Sequence, residues 1–102
     1  MHYQVTISKP ALADLGTIAR FIAQSPRGSP EAALKIGEEL IAVCESLATL
    51  PRRGTAVRNR PGLRKLSHRY YLIYSRTTEE PRLVEIVRIW DGRQNPLGLV
   101  LP

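Results

Sequence analysis

The sequence is poor in the residues that most often carry recognisable chemistry. Cys44 is the one cysteine among 102 residues, so no internal disulfide forms and a reducing cytoplasm is the expected location. The two histidines, His2 and His68, stand at ligand spacing neither from each other nor from Cys44, so no metal is expected, and no cofactor either. No apolar run approaches the roughly 18–20 residues that span a bilayer. The opening MHYQVTISKP turns polar too soon for a secretory signal, so no membrane partner is expected. A Walker loop, a dinucleotide-binding glycine fingerprint and a nucleophile elbow are all missing. Internal repeats and low-complexity tracts are missing too.

Acidic residues are scarce in one place only. Residues 1–50 hold four basic and five acidic residues, net −1, whereas residues 51–102 hold eleven basic and four acidic, net +7. The stretch 51–76 contains Arg52, Arg53, Arg58, Arg60, Arg64, Lys65, Arg69 and Arg76 and no carboxylate at all. Such a run is either a solvated basic face or a surface for a polyanion or an acidic partner. Its dominance by arginine, with no counter-charge interspersed, favours a partner surface.

What is present reads as one small domain over 1–102 with a tail at 94–102. YQVTI alternates Tyr3, Val5 and Ile7 with polar residues, the period of a half-buried strand. Ser8 is a fitting N-cap, and Leu12, Leu15, Ile18, Ala19 and Ile22 then recur at helical spacing, predicting a helix over 9–24. Ser29, Pro30 and Glu31 open a second helix. Ala33, Ile36, Leu40, Val43, Cys44, Leu47 and Leu50 form its apolar face, with Glu38, Glu39 and Glu45 off that face, and Pro51 stops the helix at about residue 49. PRRGTAVRNRPG reads as a loop, LRKLS and YYLIYSR as two antiparallel strands, and LVEIVRIW as a central strand apolar on both faces. Strict alternation places Leu83, Glu85, Val87 and Ile89 on one face of that strand, and Val84, Ile86, Arg88 and Trp90 on the other. The order β-α-α-β-β-β is α+β, with the helical hairpin covering one face of the sheet and the other face left for arginines.

Chemistry is then left to arginines and aromatics near strand ends: Arg64, Arg69, Tyr70, Tyr71, Tyr74, Arg88, Trp90 and Arg93. Guanidinium groups suit phosphate, and aromatic rings can stack on bases or fill a core. Asp91 can act as a base, or can cap the turn and pair with a nearby arginine.

The quoted segments, together with ALADLGTIARFIA, LATLPRRG, GLRKL, RYYLIYSR and VRIWDGRQNP in that order, resemble the RelE/ParE superfamily of type II toxin–antitoxin toxins, on its ParE-like, plasmid-stabilisation branch. The resemblance implies a small curved antiparallel sheet with a helical hairpin on one face. It implies a cognate antitoxin as partner, bound in a hetero-oligomer, and a growth-inhibiting activity. The target it implies is DNA gyrase, inhibited by binding, as in ParE-like members. The alternative is the ribosome with its mRNA, cut as in RelE-like endoribonucleases; a non-toxic basic nucleic-acid-binding domain is a third reading. Of the groups that RNA cleavage uses, Arg64 and Arg93 can supply charge and Asp91 stands where many relatives carry histidine. Candidate catalytic residues are therefore Arg64, Asp91 and Arg93, in a chain that leans away from being an enzyme. Residues expected to meet partner or target are Arg58, Arg60, Arg64, Lys65, Arg69, Trp90 and Arg93.

Overall fold

A computed structural model describes residues 2–102. Strand β1 (Gln4–Ile7) leads into helix α1 (Lys9–Gln24) and helix α2 (Pro30–Ser46). Strands β2 (Thr55–Ala56), β3 (Leu63–His68), β4 (Tyr71–Glu79) and β5 (Arg82–Asp91) follow. A short 3-10 turn, Pro96–Gly98, lies in the tail. Both serines cap as their positions imply. Ser8 Oγ accepts from Ala11 N at 3.2 Å and Ser29 Oγ from Ala32 N at 3.0 Å, and each satisfies an amide that the helix itself leaves free. Between the helices the chain doubles back so tightly that a Cβ on Gly28 would stand 1.7 Å from the carbonyl oxygen of Ile22, so only glycine fits. Helix α2 ends at Ser46, three residues short of the expected end, and Leu50 beyond it is exposed.

The sheet has five strands in the order β1-β5-β4-β3-β2. Strands β3 to β5 are antiparallel as expected, while β1 joins the sheet parallel to β5, because the hairpin carries the chain over one face before β5 is added. Strand β5 is central, between β1 and β4. The short β2 was not anticipated in the loop; it pairs Thr55 and Ala56 with Lys65 and Arg64. Beneath the helices lies the main core of Ala11, Ile18, Leu40, Cys44, Leu47, Tyr71, Ile73, Val84, Ile86 and Ile89.

Two expectations about the sheet are corrected. First, strict alternation fails in β5. Tyr74 pairs with Arg88 but Ser75 with Ile86, so Val87 is the extra residue of a β-bulge. The bulge brings Ile89 into the core with Val84 and Ile86, and turns Trp90 to the outer face with Val87. Second, the outer face is not left to arginines. Leu63, Tyr74 and Val87 form a second apolar cluster there, joined by Val57, Leu72 and Trp90 and roofed by Leu99 and Leu101 of the tail.

Strand β1 ends opposite Ile86, so the rest of β5 has no strand on that side. Side chains from the start of α1 satisfy it instead. Ser8 Oγ donates to Val87 O at 3.1 Å, and the Asp14 carboxylate accepts from Ile89 N at 2.9 Å. The same carboxylate grips Arg88 through Nε at 2.7 Å and Nη2 at 2.8 Å, and Arg88 Nη1 reaches Val100 O at 2.9 Å. Arg88 is thereby a structural residue that joins helix, bulge and tail.

Candidate functional site

The basic side chains divide between two ends of the sheet. Arg58 and Arg60 lie on the exposed loop before β3. Among the described residues the Arg60 side chain bonds only the carbonyl of neighbouring Asn59, and Arg58, Lys65 and Arg76 have no ion pair. Arg64 is half-buried; its Nη2 donates to Gly54 O at 2.8 Å, while its Nε is buried with no partner. Lys65 stands between Thr55 and Tyr74 on neighbouring strands. Among the described residues, the charge of Arg58, Arg60, Lys65 and Arg76 is not neutralised by an ion pair.

The other end is built on the two-residue connection between β3 and β4. Its first residue, Arg69, has φ 55°, a left-handed conformation that is strained for an arginine and easy for glycine. Glu39 of α2 holds it there, accepting from Arg69 Nε at 2.8 Å and Nη2 at 3.3 Å. Glu39 also lies 2.8 Å from His68 Nε2. Arg69, and after it His68, holds the Glu39 carboxyl at about 2, so the group is an anion that only accepts and the proton of that contact belongs to Nε2.

Across the strands His68 pairs with Tyr71 and Tyr71 with Asp91, so the end of β5 sits beside this turn. Asp91 is buried and accepts from Arg93 three times: from its backbone N at 2.9 Å, Nε at 3.0 Å and Nη2 at 2.8 Å. Those bonds outweigh burial, hold the Asp91 carboxyl below its ordinary range and keep Arg93 charged. The Arg93 guanidinium then lies 4.2 Å from the centre of the exposed Tyr70 ring, a cation–π contact. Tyr70 meets Tyr71 edge to face, and burial pushes the Tyr71 phenol upward, so it stays protonated. The result is a fixed cluster at one end of the sheet: two arginines, each gripped by a carboxylate at Nε and one terminal nitrogen, with an exposed tyrosine under one of them. Each keeps its remaining terminal nitrogen for a partner.

Among the residues expected to act, Arg69, Asp91 and Arg93 are brought together. Arg58, Arg60, Arg64 and Lys65 gather elsewhere. Arg64 pairs with Ser75, four residues along β4 from the Tyr71–Asp91 pair, a separation of roughly 13 Å along the strand at about 3.3 Å per residue. Trp90 is half-buried in the outer apolar cluster, with Gly98 against its ring. Glu39 and Asp14 escaped sequence reasoning as site or scaffold residues, whereas Tyr70, one of the strand-end aromatics named there, lies under the Arg93 guanidinium. Periodicity only places Glu39 off the apolar face and cannot tell a carboxylate facing solvent from one leaning over a sheet edge. No cluster of three or more potential metal ligands exists among the described residues, and no helix is long and apolar enough to cross a membrane.

A helical hairpin over one face of a mixed sheet, with charged arginines fixed at strand ends, defines a small basic α+β domain. The chain belongs to the family of the ParE toxin of the type II toxin–antitoxin system parDE, whose sequence model matches residues 5–96. No curated protein sequence matches it. Among solved structures, it is similar to the chromosomal ParDE toxin–antitoxin system of Pseudomonas aeruginosa, with TM-score 0.72 and 22% identity over 86% of this chain and 94% of that one. It is similar to the RelBE2 complex of Mycobacterium tuberculosis, with TM-score 0.65 and 20% identity over 87% and 96%. The isolated RelE toxin of Escherichia coli gives TM-score 0.62 and 14% identity over 94% and 90%. At these identities the likenesses describe the fold, and they include both ParE and RelE proteins.

Proposed function

We propose that the protein is a ParE-like toxin that inhibits DNA gyrase by binding it, and that a cognate antitoxin neutralises the toxin. The observation that carries this reading is the commitment of Asp91. Both its oxygens accept from Arg93, it is held ionised, and the other candidate phosphate-binding arginine, Arg64, lies at the far end of the strands. Cleaving RNA requires a group free to move a proton beside a positive charge on the phosphate. Asp91 instead acts as a positioning residue that presents a charged, pre-oriented Arg93 on the Tyr70 ring, an arrangement suited to contact. The unneutralised loop and strand residues Arg58, Arg60, Lys65 and Arg76 are the ground for an acidic antitoxin segment.

One observation favours the ribosome-dependent endonuclease as a second reading. His68, oriented by Glu39 beside Arg69, is an imidazole–carboxylate pair of the kind used in proton transfer.

Purified toxin should inhibit gyrase supercoiling, and Arg93→Lys should weaken that inhibition while the protein stays folded, since lysine keeps a cation beside the buried Asp91 but loses the planar fork. Ribosomes programmed with mRNA should show no toxin-dependent cut. A-site cuts lost on Asp91→Asn or His68→Ala would overturn the gyrase reading and establish the second.

A further inference from the structure

Phe21 is the one phenylalanine of the chain, and it is 56% exposed. Phenylalanine is among the residues most often buried, yet this ring belongs to neither apolar cluster of the fold. Asp14, Thr17 and Phe21 follow one another at three- and four-residue spacing and share one stripe of α1. Asp14 bonds Arg88 and Ile89 N, and Thr17 lines a cavity of about 40 Å³ together with Asp91 and Gln94. Helix and strand therefore advance side by side. From Ser8 to Thr17 the helix climbs about 13 Å, and from Val87 to Asp91 the strand climbs about as far. Strand β5 stops at Asp91, but α1 runs on, and its next turn carries Phe21 roughly 6 Å further. Phe21 thus stands past the end of the sheet, beside the turn of Gly92 to Gln94, at the same end as Tyr70 and Arg93. The other flank of α1, toward α2, carries Ala19 and Ala23 instead.

We infer, resting on the toxin reading above, that Phe21 and Lys35 extend the Tyr70–Arg93 cluster onto the helices as one protein-binding surface, and that this surface takes an acidic patch of the target around an apolar side chain. Three observations select that partner. First, Tyr70 is 57% exposed, so two large rings and two arginines fixed in direction face solvent at one end of the molecule. Aromatic and arginine side chains of this kind dominate the energetics of protein contacts. Second, the charge turned outward is positive. The Arg93 side chain is 49% exposed and its Asp91 9%, while Asp14 and Glu39 are turned inward to Arg88 and to His68 and Arg69. Lys35 lies one turn before Glu39 on the same side of α2, is exposed, and has no ion pair among the described residues. Third, a nucleic-acid backbone repeats its charge at every nucleotide and asks for a track of free cations. Such cations, Arg58, Arg60, Lys65 and Arg76, lie toward the other end. Here both arginines are tied to carboxylates, and Arg93 covers a face of the Tyr70 ring that a base would need for stacking. A protein surface with discrete carboxylates beside an apolar side chain meets this arrangement better.

Phe21→Ser, Phe21→Glu and Lys35→Glu test it in the full chain, compared with wild type in gyrase supercoiling, in growth inhibition and in antitoxin binding. Neither side chain packs in a core, so urea midpoints should match wild type, and Lys35→Glu on the second helix guards against a folding artefact of the first. Each variant should need at least about tenfold more toxin for half-inhibition, the loss expected when a central contact is removed. Phe21→Glu should lose more than Phe21→Ser, because its carboxylate also repels an acidic partner. All three should bind the antitoxin as wild type does. A Phe21→Glu chain that inhibits gyrase as well as wild type would overturn the inference and leave the gyrase reading intact. A wild-type chain without effect on gyrase would overturn that reading instead, and growth inhibition then decides: Phe21→Glu should abolish it, and undiminished toxicity would overturn the inference. Cutting of ribosome-bound mRNA that Phe21→Glu abolishes would give the surface to RNA and overturn it too. So would a Phe21→Glu chain that keeps its toxicity and loses its antitoxin, since the surface would then belong to that partner.

Discussion

Replacing Asp14 with alanine should be among the most damaging single changes in the protein, although nothing in its sequence position announces it. The Asp14 and Arg88 side chains are 12% and 18% exposed, and the carboxylate accepts three hydrogen bonds, two from Arg88 and one from Ile89 N. Alanine leaves a half-buried guanidinium without its anion and a strand amide without an acceptor. Breaking a buried pair in this way costs about 3–5 kcal/mol. Arg88 keeps its bond to Val100 O and some solvent, so about 3 kcal/mol is the expected loss. For a domain of this size, that lowers the thermal midpoint by roughly 12–24 °C. Urea unfolding, followed by far-UV circular dichroism, measures it. Asp14→Asn keeps an acceptor and should lose about half as much. Pairing Asp14→Leu with Arg88→Met should recover most of the loss, because a well-packed apolar pair can replace a buried ionic one. An Asp14→Ala loss below about 1 kcal/mol, the range of an exposed pair, would refute the reasoning.

Acid should act on the turn cluster through Glu39. Its carboxyl is held at about 2 against an ordinary 4.5, so its contacts with Arg69 and His68 stabilise the fold fully above pH 4.5 and are lost as pH falls toward 2. Glu39→Gln should therefore be less stable than wild type near neutral pH, and the two urea midpoints should converge as pH approaches 2; parallel curves would show that Glu39 makes no such contact. The Cys44 thiol is fully buried and is pushed up to about 12 by that burial. It should resist a thiol reagent in the native protein and react once urea opens the core, and prompt native labelling would place it at the surface.

Much of the architecture was legible because its causes are local. Ser8 and Ser29 cap where a serine before a proline-containing first turn should, and the 3.6-residue recurrence of Leu15, Ile18, Leu40 and Cys44 marks the faces that the sheet buries. The arginine run at 51–76 told of a basic half before any fold was known. Tertiary structure decided the rest. The bulge at Val87 changes which β5 residues share a face, because the strand must bend where β1 stops and α1 takes over its hydrogen bonds, and no periodicity records that. The tail covers an outer face that charge alone assigned to arginines, since Leu99 and Leu101 had apolar surface to bury there. Arg88 was one more exposed-looking arginine until Asp14, 74 positions away in sequence, claimed it. Arg69 and Arg93 were legible as arginines, but their roles rest on Glu39, Asp91 and Tyr70. A guanidinium acquires a direction only from the groups that fold around it, and those groups come from α2, the β3–β4 turn and the end of β5.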